Sequence, residues 1–302
     1  MMTAPNRAYA APVPDVRGLR IPERTLELLR DLIASHAGIH YDDGRLEILR
    51  DRIVPLAIER DFDSLLDYYY LLKYDPAAGI EWPRVMDALS VQETYFWREA
   101  DHFTALAGTI VPRLIERQKR TIRIASIPCA SGEEPLSIAM ALNEAGLFDR
   151  AHIEIHASDA SDAALAKARG RRYTRRAFRQ LPVAMQDKYF TRSSDREEWT
   201  VTPELFARVT SWSRVNIVNP AEMSIVASSD VVFCRNLFIY FTPACVREVA
   251  INLARFMPSP GYLCVGAAES LLKAGAGFDL QELGGAYVYV CLLYTSPSPR
   301  DS

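Results

Sequence analysis

The chain has 302 residues, 49% of them hydrophobic, and a formal net charge of −3. That much apolar side chain can bury a large core, in two domains rather than one, while the charge offers no global positive field for nucleic acid or anionic lipid. No run of 18 apolar residues occurs, which argues against a transmembrane helix and against direct membrane insertion. Five cysteines (Cys129, Cys234, Cys245, Cys264, Cys291) form no C-x-x-C pair. Scattered thiols of this kind suit a reducing cytoplasm, where they act as small buried hydrophobes.

Residues 1–18 lack the apolar core of a secretory signal and read as a flexible Pro/Ala-rich lead. From 19 to 90 the pattern is helical. "PERTLELLRDLIASHAG" spaces Leu26, Leu29, Ile33 and Ala37 near a 3.6 period, with Pro22 and Glu23 in the first turn and Gly38 at the stop. "DDGRLEILRDRIVPLAIERDF" predicts a second helix, bent or broken near Pro55. "DSLLDYYYLLKYD" predicts a third, with Asp63 or Ser64 as N-cap, and "EWPRVMDALSV" continues the helical run.

The remainder, 91–290, changes period. "TIRIASI", "HIEIHASD", "SDVVFCRNLFIYF" and "GYLCVGA" are short β-rich runs separated by helical segments. That alternation predicts an α/β, Rossmann-like domain with a mostly parallel sheet, whose ligand lies beyond the C-terminal strand ends. "YFTRSSDREEWTVTPELFARVTSW" predicts a small β subdomain, about 172–215. From 291 to 302 the sequence "CLLYTSPSPRDS" has the look of a non-native tail, outside fold reasoning.

The first strand feeds "IASIPCASGEEPLSIAMAL". A dinucleotide site would put G-x-G-x-x-G here, because pyrophosphate needs close backbone approach at a helix N-terminus. Only Gly132 is present, followed by Glu133 and Glu134, and two carboxylates repel phosphate. They suit a cation. One strand later Asp159 stands where an acidic residue accepts ribose hydroxyls. A cationic nucleoside without phosphate describes S-adenosylmethionine. Taken singly, the glutamates fit helix-dipole partners and Asp159 fits a helix cap; their order and spacing favour the cofactor. Further along, "FCRNLFIYF" runs a buried strand into Arg235 and Asn236, with Tyr240 a turn later.

"ETYFWRE", "CASGEEPLSIAM", "ASDAS", "RVNI", "FCRNLFIYF" and "GYLCVGAAESL" together resemble the chemotaxis receptor methyltransferases of the CheR type, in order from about Leu26 to Val290. The resemblance implies an all-helical N-terminal domain before an S-adenosylmethionine-dependent methyltransferase domain carrying a small β subdomain. It implies methylation of glutamate side chains in the cytoplasmic domain of a methyl-accepting chemoreceptor, giving γ-methyl esters. By motif position it places Gln92, Thr94, Arg98, Glu134, Asp159, Asn216, Ile217, Arg235 and Asn236 around the cofactor. Gln92 stands where Asn is usual, Leu136 where Tyr is common, and Pro128 replaces a small residue. Glu134 rather than Glu133 is taken as the cofactor contact.

Arg98 is the candidate to orient the acceptor carboxylate through its guanidinium fork, and Tyr240 to shape the methyl pocket. Arg45, Arg50 and Arg52 put at least two positive charges on one face of the second helix, the element by which the family reads its receptor. "KARGRRYTRRAFR" (167–179) has seven basic residues and no acid, and offers a second surface for an acidic receptor helix. The β subdomain lacks the glycine-containing loop that tethers receptor tails in some relatives, so tethering is not expected. His36/His40 and His152/His156 lack the further ligands a metal site needs. The expected protein is a cytoplasmic monomer. A methyltransferase of another substrate and a non-catalytic nucleotide-binding signalling module are the alternatives; the presence of both Arg98 and Tyr240 weighs against the second.

Overall fold

The structure is a computed structural model, and its described residues are 18–22 and 24–291. The expected flexible lead through residue 17, the first-turn role of Glu23 and the expected foreign tail from 292 onward lie outside them. The chain divides into two compact units. One ends at Leu89; the other runs from Ser90 and also takes in His36–Ile39.

The first unit is helical: α1 (Thr25–Ala37), α2 (Leu46–Glu59), α3 (Leu65–Tyr74) and α4 (Ala78–Leu89). Leu29 and Ile33 of α1, Leu49 and Ile53 of α2, Leu65, Tyr68 and Leu72 of α3, and Val85 and Leu89 of α4 are buried, at the spacing an amphipathic helix requires. Ser64 is the cap of α3, accepting from the Leu66 amide. Of the bend or break expected near Pro55, the break does not occur: α2 runs through it. Proline removes one hydrogen bond, but Ile53, Val54 and Ala57 are buried around it, and that packing holds the helix together. Glu81 is fully buried yet satisfied, accepting from Tyr68 and pairing with Arg60 and Arg84 at 3.0 Å each.

The second unit opens with a strap at 90–100 that is neither helix nor strand, and a helix that the sequence reading left unassigned. It comprises α5 (Asp101–Ala105), a π-helical turn (Leu106–Ile110) and α6 (Val111–Glu116). There follow β1 (Thr121–Ser126), α7 (Glu133–Glu144), β2 (His152–Asp159), α8 (Asp162–Gly170), β3 (Arg172–Thr174), α9 (Val183–Tyr189), β4 (Phe190–Arg192), β5 (Glu198–Val201), α10 (Pro203–Phe206) and β6 (Val209–Arg214). The unit ends with α11 (Pro220–Ala227), β7 (Val231–Phe233), α12 (Pro243–Phe256), β8 (Gly261–Cys264), β9 (Phe278–Leu283) and β10 (Ala286–Cys291).

Seven strands form one sheet in the order β6-β2-β1-β7-β8-β10-β9, parallel except where β10 runs against both neighbours. Side chains alternate across it. Ile122, Ile124, Val231 and Phe233 enter one core, while Ala125, Val232, Cys234 and Leu263 enter the other. After β1 the chain builds outward to β2 and β6, then returns to lay β7 on the other side of β1. The exits of β1 and β7 therefore flank the topological switch point, where open α/β sheets bind ligands.

Two expected boundaries are corrected. The small antiparallel sheet is β3-β5-β4 and ends at Val201, not near 215, because β6 pairs in parallel with β2 in the main sheet. Cys291 does not begin a tail: it is buried and pairs with Gly261 and Phe278. All five thiols are free, and burial pushes Cys264 up to about 12 and Cys245 to about 11, so both stay protonated near neutrality.

Candidate active site

A small cleft opens at the switch point, where open α/β sheets bind ligands. Three segments line it: Val91, Glu93, Thr94, Tyr95 and Arg98 of the strap, Pro128, Ala130 and Glu134 from the β1 exit, and Arg235 and Asn236 from the β7 exit. Phe103 of α5 closes one side.

Aromatic packing fixes the strap. Phe96 is buried against Tyr173, Phe178 and Phe190, with ring centroids 4.8, 5.3 and 4.9 Å away, and its amide donates to the Ala177 carbonyl. The Trp97 amide donates to Ser137, and its ring leans on Phe103. With Phe96 buried and the Trp97 ring packed on Phe103, Arg98 turns to the cleft. One of its Nη atoms donates to the Glu93 carbonyl at 2.9 Å, and its guanidinium lies 5.5 Å from the Tyr95 ring.

The β1 exit is shaped by Gly132 at φ +96°, a conformation that L side chains rarely adopt. It turns the chain so that Glu133 and Glu134 begin α7 on different sides. Glu133 is 4% exposed and accepts from Ser131; burial pushes its carboxyl up to about 7. Glu134 lines the cleft, accepts from Ser126 at 2.7 Å and lies 3.3 Å from Arg235 Nη1. Burial raises its pKa against the pull of Arg235. Of the two candidates, then, Glu134 is the one that faces the cleft.

Arg235 is the charged centre of the site. Only 3% exposed, it donates to the Arg98 carbonyl at 2.5 Å, pairs with Glu99 at 3.1 Å and lies over the Phe103 ring. Its Nε has no partner among the described residues, and the Nη1 contact to Glu134 lacks a hydrogen bond's alignment. Glu99 also accepts from Asn236 and from the Ala267 amide. Burial pushes its carboxyl up, but Arg235, Asn236 and His102 together bring it below the ordinary value. Four residues around the cleft, Trp97, Glu99, Ala130 and Asn236, have positive φ without being glycine. Such strain concentrates where a site over-determines its backbone.

The other sequence-derived positions are less uniform. Thr94 and Asn236 line the cleft, whereas the Gln92 side chain accepts from Lys167. Asp159 is buried, one oxygen accepting from Ala130 and the other from Ser161, so it ties the β1 exit to the β2 exit. Asn216 and Ile217 follow β6 and are not among the cleft-lining residues. The Asn216 amide donates to the His36 carbonyl, and Ile217 is buried in the core. Tyr240 is half-buried against the same core and also stands outside the lining.

In the helical unit the three candidate arginines differ from a shared solvent-facing patch. Arg45 is exposed beside Asp42, and Arg50 is drawn onto Glu47 at 2.8 Å. Arg52 donates to the Leu89 carbonyl at 2.6 Å and to the Ala88 carbonyl at 3.3 Å, closing the C-terminus of α4. The 167–179 run is also partly engaged: Arg176 and Arg179 pair with Glu93, and Arg179 stacks 3.6 Å from the Tyr95 ring centroid. Glu93, Glu99, Ser126 and Glu269 are site residues that sequence reasoning did not single out. All four stood inside quoted runs, Glu93 and Glu99 in "ETYFWRE", Ser126 in "TIRIASI" and Glu269 in "GYLCVGAAESL". Among the described residues no group of three or more His, Cys, Asp or Glu is arranged to hold a metal, and no helix is long and apolar enough to cross a membrane.

A family model described as "CheR methyltransferase, SAM binding domain" matches residues 92–283, and one described as "CheR methyltransferase, all-alpha domain" matches 24–90. The chain is 30% identical to chemotaxis protein methyltransferase 2 of Vibrio cholerae, over 83% of this chain and 87% of that one. It is 27% identical to the chemotaxis protein methyltransferase of Borreliella burgdorferi, over 84% and 90%. It is 34% identical to a probable biofilm formation methyltransferase of Pseudomonas aeruginosa, over 92% of this chain but 62% of the longer relative. Among solved structures, magnesium protoporphyrin IX methyltransferase of Synechocystis is similar over 73% of this chain and 91% of that one, at 14% identity and a TM-score of 0.33, too slight a likeness to build on.

Proposed function

We propose, for a chain that belongs to the CheR methyltransferase family, that it moves a methyl group from S-adenosylmethionine to glutamate side chains of a chemoreceptor's cytoplasmic domain, leaving γ-methyl esters. One observation carries the reading. A single cleft at the switch point sets the carboxylate of Glu134 beside a buried Arg235 whose Nε is unpartnered, on a loop hostile to phosphate. That donor set fits a ligand with an ammonium and a carboxylate at one end. Glu134 would hold the ammonium and Arg235 the carboxylate, with Asp159 toward the ribose and Gln92, Thr94, Asn216, Ile217 and Asn236 completing the surround.

The cofactor supplies a methyl group on a positively charged sulfur. An acceptor glutamate is already ionised near neutral pH, since its unperturbed pKa is about 4.3. No general base is needed, and no proton moves. The work left to the protein is alignment, and orientation of this sort lowers a barrier by roughly 7–11 kcal/mol. Arg98 spends one Nη atom on the Glu93 carbonyl, which sets the plane of its guanidinium and leaves other donors for the acceptor carboxylate. Tyr240 rides the same strand exit as Arg235 and Asn236 and is assigned to the wall of the methyl pocket. The arginines exposed on the helical unit, Arg45 first, are assigned to the receptor. Free thiols throughout support a cytoplasmic setting.

The test is incubation of purified protein with methyl-labelled S-adenosylmethionine and candidate receptor cytoplasmic domains. The expected label sits on receptor glutamates and is released by mild alkali, as an ester must be. Label that resists alkali, or that reaches only small molecules or RNA, would refute the assignment.

A further inference from the structure

The loop leaving β7 carries Arg235, Asn236 and Tyr240, and a side chain from a different strand exit holds its backbone. Glu269 follows β8. Its Oε2 accepts from the Gly266 amide at 2.6 Å and the Asn236 amide at 2.8 Å, while its Oε1 accepts from the Ile239 amide at 3.3 Å. An ionised carboxylate only accepts, so it matches a set of inward-pointing N–H groups that no hydroxyl or amide could serve as well. Ile239 lies in the short 3-10 turn Phe238–Tyr240, whose first N–H groups have no partner within the turn.

Asn236 needs this support. Its φ is +59°, and such a residue persists only where its surroundings over-determine it. Glu269 fixes its amide, and Glu99 receives its side chain at 3.4 Å. The two loops also approach closely at Gly266, where an added side chain would displace its neighbours. A Cβ there would stand 2.4 Å from Asn236 Nδ2 and 2.9 Å from Glu269 Oε2.

We propose that Glu269 is a positioning residue for methyl transfer: it fastens the β7 exit loop and thereby sets Arg235 and Asn236 against the cleft. Glu269 itself is absent from the cleft lining and acts through those two. The inference rests on the methyltransferase reading and deepens it.

The experiment compares Glu269→Gln, Glu269→Asp and Glu269→Ala with the parent in three measurements: thermal melting, S-adenosylhomocysteine binding by calorimetry, and single-turnover methyl transfer to a receptor domain. Glutamine keeps the volume but turns an amide N–H₂ toward the backbone donors, which opens one side of the clamp. The expected result for Glu269→Gln is a folded protein whose S-adenosylhomocysteine affinity falls about 10-fold and whose transfer rate falls about 10- to 100-fold, with the KM for receptor unchanged. Glu269→Asp, which restores a carboxylate, recovers part of that rate. The inference is overturned by parental affinity and rate in Glu269→Gln, by rates that follow melting temperature rather than the presence of a carboxylate, or by a Glu269→Gln chain that fails to fold. Loss of folding in Glu269→Ala leaves the glutamine variant to carry the test. A parent protein that does not bind S-adenosylhomocysteine overturns the methyltransferase reading instead.

Discussion

Replacing Gly132 by alanine strikes the turn that aims Glu134 into the cleft. Two costs arise together. At φ +96° an L residue sits outside its comfortable backbone regions, at roughly 1–2 kcal/mol even in the milder left-handed well. The new Cβ would stand 3.0 Å from Trp212 Cη2 and 3.1 Å from both Trp212 Cζ3 and the Tyr173 hydroxyl. Neither neighbour yields easily. The Trp212 ring is stacked on Phe206 at 5.4 Å, and Tyr173 is buried against Phe96. Crowding of this kind costs about 1–3 kcal/mol, so Gly132→Ala should lose about 2–5 kcal/mol in all. For a domain of about 200 residues that is a fall of roughly 4–20 °C in Tm. Urea unfolding and S-adenosylhomocysteine titration check both halves of the expectation, stability and a displaced Glu134. A loss below about 0.5 kcal/mol with unchanged affinity would refute the account of this turn.

Three other expectations follow from the same contacts. Arg98→Lys should fold and bind S-adenosylhomocysteine yet lose about 10- to 100-fold in single-turnover rate, because a point charge cannot replace a planar fork; Tyr240→Phe should lose less, and a parental rate in Arg98→Lys would leave that residue only a packing role. Arg52→Ala should cost about 1–2 kcal/mol of stability by orphaning the Leu89 and Ala88 carbonyls, whereas Arg50→Ala should change it by less than about 0.5 kcal/mol; equal effects in chemical melts would contradict the cap. Glu133 has a folded pKa of about 7 against an ordinary 4.5, so the stability linked to its protonated form is fully present below pH 4.5 and lost as pH rises through 7. Glu133→Gln should therefore gain on the parent by up to about 3 kcal/mol across that window, and parallel stability–pH curves would show that Glu133 does not titrate there.

Much of this was legible in the sequence because it is local. The 3.6-residue spacing of Leu29, Ile33 and Ala37 and the alternation in "TIRIASI" and "AYVYV" report which face is buried, and burial is what makes those elements form. Strand–helix alternation then dictated a parallel sheet, hence a switch point, hence a cleft at the exits of β1 and β7. The composition of those exits, Gly132 with two glutamates and Arg235 with Asn236, was enough to exclude phosphate and suggest a cation.

Tertiary structure decided what each polar side chain is spent on. Successive helix residues point about 100° apart, so "GEE" could not say that Glu133 turns inward while Glu134 meets Arg235; the neighbours that settle it lie far away in sequence. The carboxylate of Asp159 accepts from the Ala130 and Ser161 amides, the charge of Arg52 closes α4, and the basic run at 167–179 reaches back to Gln92 and Glu93. Glu269 gives no periodic signal at all, because a carboxylate that fastens a loop obeys the geometry of that loop and not the pattern of its own segment. Hydrophobic periodicity is written residue by residue along the chain. The partner of a buried charge is chosen only when distant segments meet.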